Sequence, residues 1–229
     1  MRSPSLKTPT EARGPGRHPG PRPLDWRQRG THSGSRIGDP KSADTGKLIG
    51  MITELDVLNR ISEGLSARSL QFMLTGSFAL AYYATPRMTR DLDIVVALAA
   101  GDAEALLSTF SSDFYIDADA VRAAIQNERL FNMMHLSSGI KVDLIVRKSS
   151  EYRLTEFARR QRVMVGSILT WIVSREDLIL SKLLWSLDSE SELQLRDVRQ
   201  LLAGPIDIDY LNRWAPGLGV EKPLRELMR

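Results

Sequence analysis

Two stretches of this chain set acids into what otherwise reads as the apolar centre of a sheet: Asp91-Leu92-Asp93-Ile94-Val95-Val96 and Lys141-Val142-Asp143-Leu144-Ile145-Val146. Leu92 to Leu98 reads as one buried strand and Ile140 to Val146 as another. Residues i and i+2 of a strand point to one face, so Asp91 and Asp93 stand together, about 7 Å apart by the strand's rise. Unpaired, they would repel each other. Asp143, alone among apolar neighbours, is costly to bury unless it is paired or ligates a metal. Hard oxygen donors suit magnesium or manganese, and three such acids on adjacent strands can form a two-metal site for in-line phosphoryl chemistry. An Asp-x-Asp alone would equally fit a solvated strand edge.

The segment upstream adds a second element of the same chemistry. The short apolar run Phe72-Met73-Leu74 ends at Thr75-Gly76-Ser77. The glycine lets backbone approach a phosphate closely, and Ser77 is placed to N-cap a helix over Phe78 to Tyr83, which Pro86 stops. A helix N-terminus offers free N–H groups and a positive dipole end to an anion.

Around these motifs the chain divides by pattern. Residues 1–50 hold seven of the eleven prolines, eight of the sixteen glycines, and ten Lys/Arg against four Asp/Glu. They show no periodicity and few aliphatics, so the sequence predicts a disordered basic tail. The tail is an inert or misassigned start, with Met51 opening the first periodic segment, or it is a functional arm for RNA or targeting. The remainder carries a net charge of −3, so the basic isoelectric point belongs to the tail and does not mark the folded part as a nucleic-acid binder. With no cysteine, thiolate metal sites and disulfides are excluded. No apolar run reaches the roughly 20 residues of a membrane helix, and a secretory leader is lacking, so a cytoplasmic location without membrane contact is expected.

From Met51 onward, Ile52, Leu55, Leu58, Ile61 and Leu65 recur at helical spacing. Helices are predicted over Ala103–Phe110, Ala118–Gln126 and Tyr152–Arg160. Strands Leu130–Leu136 and Ile140–Val146 flank a Ser137-Ser138-Gly139 hairpin turn, and Val163 to Val173 is rich in β-branched residues. Helices near Arg175–Leu187, Glu190–Leu202, Asp207–Trp214 and Lys222–Met228 close the chain. The expectation is an α+β fold: a mixed sheet flanked by helices over 51–173, then a helical C-terminal part over 174–229.

The stretch Leu74-Thr75-Gly76-Ser77-Phe78-Ala79-Leu80, continuing through Pro86-Arg87-Met88-Thr89-Arg90-Asp91-Leu92-Asp93-Ile94, resembles the signature of the DNA polymerase β-type nucleotidyltransferase superfamily. It is most similar to the branch of nucleotidyltransferase toxins from abortive-infection toxin–antitoxin systems, whose Pro-Arg-x-Thr-x-Asp-x-Asp is matched by Pro86, Arg87, Thr89, Asp91 and Asp93. The segments Ser174 to Leu183 and Arg196-Asp197-Val198 resemble it too. Many relatives have Gly-Gly where this chain has Thr75-Gly76. The resemblance implies a nucleotidyltransferase-like core and transfer of NMP from an NTP to a hydroxyl acceptor such as RNA, protein or a small molecule. A cognate antitoxin would be its partner. It implies that Gly76 and Ser77 hold the β- and γ-phosphates, that Asp91, Asp93 and Asp143 ligate magnesium or manganese, that Lys182 meets the triphosphate, and that Asp197 assists.

Other readings stand beside these. Lys182 could pair with a nearby acid, Asp197 could form a solvated surface pair with Arg196, and Arg87 and Arg90 could bind phosphate or neutralise Asp91 and Asp93. His135 reads as a satisfied core histidine, and Trp171, Trp185 and Trp214 read as core. A catalytically inactive nucleotidyltransferase-fold module that binds a partner or RNA is the rival function.

Overall fold

In the computed structural model, residues 53–87, 89, 91–189 and 191–229 are described. The tail expected to be disordered lies outside them, as do Ile52, Met88 and Arg90.

The elements run α1 (Glu54–Ala67), β1 (Phe72–Leu74), α2 (Gly76–Tyr83), β2 (Asp91–Val96), α3 (Ala103–Phe110), β3 (Phe114–Ile116), α4 (Ala118–Gln126), β4 (Leu130–His135) and β5 (Lys141–Val146). They continue with α5 (Glu151–Ala158), β6 (Gln161–Val165), β7 (Ile168–Ile172), α6 (Arg175–Ser189), α7 (Glu192–Leu202), α8 (Ile208–Trp214) and α9 (Glu221–Leu227). One seven-stranded sheet has the order β3-β4-β5-β2-β1-β7-β6. The pairs β2/β5 and β1/β7 are parallel and the remaining neighbours antiparallel, so the expected mixed sheet is present. Among the described residues no helix is long and apolar enough to cross a membrane.

Alternation along the central strands decides which face is core. Leu92, Ile94 and Val96 of β2 and Val142, Leu144 and Val146 of β5 are buried, while Asp91, Asp93, Lys141 and Asp143 take the opposite face. Helix α1 seals the core side near β7 with Val57, Leu58, Ile61 and Leu65, and its Ser62 Oγ lies 3.0 Å from Thr170 Oγ1. Its start is fixed by a capping box: Asp56 N–H donates to Thr53 Oγ1, and Thr53 N–H donates back to Asp56 Oδ2.

Three departures from the sequence reading have identifiable causes. The apolar run after residue 160 is two strands, because Gly166, at φ +61°, turns the chain between β6 and β7. A three-residue strand, β3, escaped notice because its periodicity is too short to register. Helix α2 begins at Gly76 with Thr75 at the N-cap, so Ser77 lies inside the first turn and is not the cap.

The C-terminal helices dock through a buried polar knot. Asp177 is fully buried and accepts from Ser174 Oγ at 2.6 Å, Arg159 Nε at 3.2 Å and Tyr210 Oη at 2.7 Å. Ser174 also takes the Asp177 N–H at 3.1 Å, which starts α6, and the tyrosine ties α8 to it. Tyr210→Phe leaves a buried carboxylate one donor short and should cost about 1–3 kcal/mol in urea unfolding. An unchanged midpoint would mean that the knot is not what docks α8.

Candidate active site

The site grows from the junction of β1 and α2. Thr75 continues the strand with extended geometry, its N–H donating to the Asp93 carbonyl at 2.9 Å. Gly76 then turns at φ +63°, a left-handed conformation that side chains rarely adopt. A Cβ at Gly76 would lie 2.0 Å from Asp93 Oδ2, so the Asp93 carboxylate occupies the room that any other residue's side chain would need. The glycine therefore serves the acid directly. Among the described residues no side chain caps the first turn of α2, which leaves its amide end open toward the same place.

The parallel pairing of β2 and β5 sets Asp91 opposite Lys141 and Asp93 opposite Asp143. Two of the three acids are thus immediate cross-strand neighbours, and Asp91 stands exposed at the strand start. Burial raises the Asp93 carboxyl to about 6, with Asp143 and then Asp91 pushing it further up and Lys182 and Lys141 easing it back. Among the described residues the side chain of Asp93 has neither a hydrogen-bond donor nor an ion-pair partner. Asp143 is better supplied: Lys141 Nζ lies 3.0 Å from its Oδ2, and Asn132, its neighbour on β4, donates to Oδ1.

Lys182, from α6, lines the same cavity of about 310 Å³ as Thr75, Gly76 and Asp93. It is buried and donates to Asp197 Oδ2 at 2.7 Å and to Gln194 Oε1 at 3.0 Å. Burial lowers its pKa, while the bond to Asp197 and that residue's charge hold it up. Asp197 is buried as well, at 1% exposure, so it is no solvated surface partner of Arg196. Arg87 extends the network, with Nε 3.4 Å from Asp197 Oδ2 and Nη2 donating to Ser77 Oγ. Arg87 therefore serves Ser77 and Asp197, not the strand acids. The unit Arg87–Asp197–Lys182 carries one net positive charge beside Asp93.

His135 is a satisfied core histidine, its Nδ1 2.8 Å from Ser138 Oγ and its ring edge-on to Phe114. Trp171 and Trp214 pack half-buried against the core. Trp185 does not: it is 51% exposed and forms part of the cavity wall. The sequence reading missed this because α6 carries apolar residues on more than one face. Arg153, Glu156 and Ser181, which also line the cavity, went unnoticed although Arg153 and Glu156 sit at i and i+3 of one helix.

The donor set suits a divalent metal in kind: hard carboxylates, one of them with its pKa raised by burial and by the neighbouring acids. Among the described residues, however, no three His, Cys, Asp or Glu side chains are grouped so as to hold an ion as they stand, and Lys141 and Asn132 occupy Asp143.

No protein-family model and no curated protein matches the chain. Solved structures do. The chain is similar to the antibiotic-resistance factor ANT(2'')-Ia in solution, with 9% identity over 76% of this chain and 95% of that one, at a TM-score of 0.52. It is also similar to an antigenic nucleotidyltransferase-like protein from Paracoccidioides brasiliensis, with 16% identity over 66% and 76% and a TM-score of 0.47. A lincosamide antibiotic adenylyltransferase bound to lincomycin shows 12% identity over 66% and 98%, at 0.46. The first likeness establishes a nucleotidyltransferase-like fold.

Two outcomes follow from this geometry. Gly76→Ala forces a side chain both into left-handed backbone and into Asp93, so it should lower stability by at least about 1–2 kcal/mol. In an Asp93→Ala background the cost of Gly76→Ala should shrink to its backbone part only; no remaining cost there would show that the backbone is unstrained. For Asp93 itself, the folded pKa of about 6 exceeds the unfolded value near 3.9. The folded chain then binds more protons between pH 4 and 6, so this group's penalty grows as pH rises through that window and is complete above it. Asp93→Asn should therefore raise the metal-free stability at pH 7.5 by at most about 3 kcal/mol, seen as a higher melting temperature, and the gain should fade toward pH 4. A gain independent of pH would remove the electrostatic account.

Proposed function

We propose that the chain is a metal-dependent nucleotidyltransferase that moves NMP from an NTP to a hydroxyl acceptor, RNA, protein or a small molecule, in the cytoplasm. The observation that carries this is Asp93: a mostly buried carboxylate without a partner among the described residues, beside Asp143 in register and seated against a left-handed glycine at an uncapped helix start. A purely structural acid in such a place would be expected to have a cation or donors of its own.

On this reading Asp91, Asp93 and Asp143 would hold magnesium or manganese, which offsets negative charge gathering on the phosphate oxygens. Gly76 brings backbone close to the β- and γ-phosphates, and the amides of the first α2 turn face them. Lys182, kept charged by Asp197, meets the triphosphate, while Arg87 positions Ser77. Asp143 orients the acceptor hydroxyl and takes its proton as the oxygen bonds to the α-phosphorus, the bond to the bridging oxygen breaks and pyrophosphate leaves with the electron pair. The protein's work is positioning and electrostatic stabilisation.

The Pro86-Arg87 to Asp93 run supports a place among toxin–antitoxin nucleotidyltransferases, with a cognate antitoxin as partner. The Lys141–Asp143 pair favours the other reading, a catalytically silent module that binds a partner or RNA, since that pair neutralises one acid without a metal.

Incubating the full chain with each α-labelled NTP, magnesium and total RNA tests the proposal. Label should move to a macromolecule, and Asp91→Asn or Asp93→Asn should each cut transfer by more than about a hundredfold, since outer-shell partners alone cost up to that. Magnesium should also raise the melting temperature of the wild-type chain, through a stabilisation of about 2.7 kcal/mol at a hundred times its dissociation constant, and not that of Asp93→Asn. Equal magnesium responses in the two proteins, with no label transferred, would leave the silent module standing.

A further inference from the structure

The cavity that holds Asp93 and Lys182 has a second polar edge whose donors are only half used. Glu156, 3% exposed on α5, accepts from Arg153 Nη1 at 3.0 and 2.8 Å and from Ser181 Oγ at 2.8 Å. Arg153 Nη1 also reaches Ser181 Oγ at 2.9 Å. Three contacts on one nitrogen fix the guanidinium plane against α6. The side chain is 29% exposed and lines the cavity, and among the described residues Nε and Nη2 have no acceptor. What remains is the side of the guanidinium that presents two parallel N–H donors, a shape that matches two adjacent acceptor atoms.

The walls next to this edge are apolar. Val95 and Ile145 rise from the sheet, and Leu178, Leu184 and Trp185 come from α6, with Trp185 half exposed. A flat ring between such surfaces gains stacking and apolar contact whatever its identity, so the discriminating element is the hydrogen-bonding edge.

Nucleobases differ sharply there. Guanine sets O6 beside N7, and cytosine sets O2 beside N3, two neighbouring acceptors in each case. Adenine places its amine next to both N7 and N1, and uracil places N3–H between its carbonyls, so one arginine donor would face another donor. A carboxylate would also fit the fork, and Arg147 and Lys148 line the same cavity, but an acidic ligand without a ring would leave the apolar walls of Val95, Ile145 and Trp185 unused.

We infer that this edge of the cavity is the nucleobase subsite, with Trp185 as stacking surface and Arg153 as the residue that selects a guanine or cytosine nucleotide over adenine or uracil. The inference rests on the NTP reading above and specifies its substrate. Glu156 and Ser181 act through Arg153 as positioning residues.

Calorimetric titration of the full chain with ATP, GTP, CTP, UTP and inorganic tripolyphosphate, each with magnesium, tests it. Wild type should bind GTP and CTP at least about tenfold more tightly than ATP and UTP, within the range a bidentate base contact discriminates. Arg153→Lys keeps a cation for Glu156 but loses the fork, so the gap should fall below about threefold while tripolyphosphate affinity holds. Trp185→Ala, at a half-exposed position, should weaken all four nucleotides about equally, by roughly tenfold, and spare tripolyphosphate. Equal wild-type affinity for the four nucleotides overturns the inference and leaves the nucleotidyltransferase reading intact, as does a preference that survives Arg153→Lys. Failure of wild type to bind any nucleotide or tripolyphosphate overturns both.

Discussion

The approach of the Asp93 carboxylate to the α-carbon of Gly76 is the contact around which the site is arranged. It requires a residue without a side chain at the turn, a left-handed φ to swing the chain from β1 into α2, and a parallel β2/β5 register that presents the acid at that height. Each requirement excludes the usual means of settling a buried charge. The glycine offers no donor, the neighbour on β5 is another acid, and the turn leaves α2 uncapped. The carboxylate consequently holds its proton to about pH 6. A fold chosen for stability alone would place an apolar residue there.

The helical C-terminal part completes the arrangement from across the cavity. A lysine at 2% exposure would be expected to shed its proton, because burial disfavours the charged form. Asp197 opposes this from 2.7 Å, and Gln194 satisfies a second of the ammonium's hydrogens. Because Arg87 leans on the same carboxylate while holding Ser77, the first turn of α2 and the face of α6 are connected through one acid. A shift of α7 would thus be felt at the glycine turn and at Lys182 together.

Local chemistry was legible in the sequence, and long-range pairing was not. Alternation in two short runs sufficed to place Asp91, Asp93 and Asp143 on one face, because a strand's period of two leaves no other choice once Leu92, Ile94, Val142 and Leu144 are buried. Gly76 was identifiable as a turn, but its dependence on Asp93 involves residues far apart in the chain. Asp197 could be read as half of a surface pair with Arg196 as readily as a site residue, since nothing local reveals that Lys182 approaches it from another helix. Trp185 looked like core for a similar reason: which face of α6 meets the sheet depends on how α5 and α7 flank it. The break between β6 and β7 rested on one residue, Gly166, inside a run whose composition was otherwise uniform.

The polar groups around the cavity are also unevenly settled, and the unevenness has a direction. Glu156 is fully engaged by Arg153 and Ser181, and Lys182 is held by Asp197 and Gln194 with one hydrogen left over. Asp93 and the outer donors of Arg153, by contrast, have no partner among the described residues. Groups that only stabilise a fold tend to satisfy one another, since an unmatched buried polar atom costs about as much as the hydrogen bond it lacks. Here the satisfied members hold the unsatisfied ones in place: Glu156 fixes the plane of Arg153, and Gly76 fixes the position of Asp93. That division between supporting and waiting groups, across one cavity with an acidic and a donor-only edge, is what a site built to receive an extended ligand with chemically different ends requires.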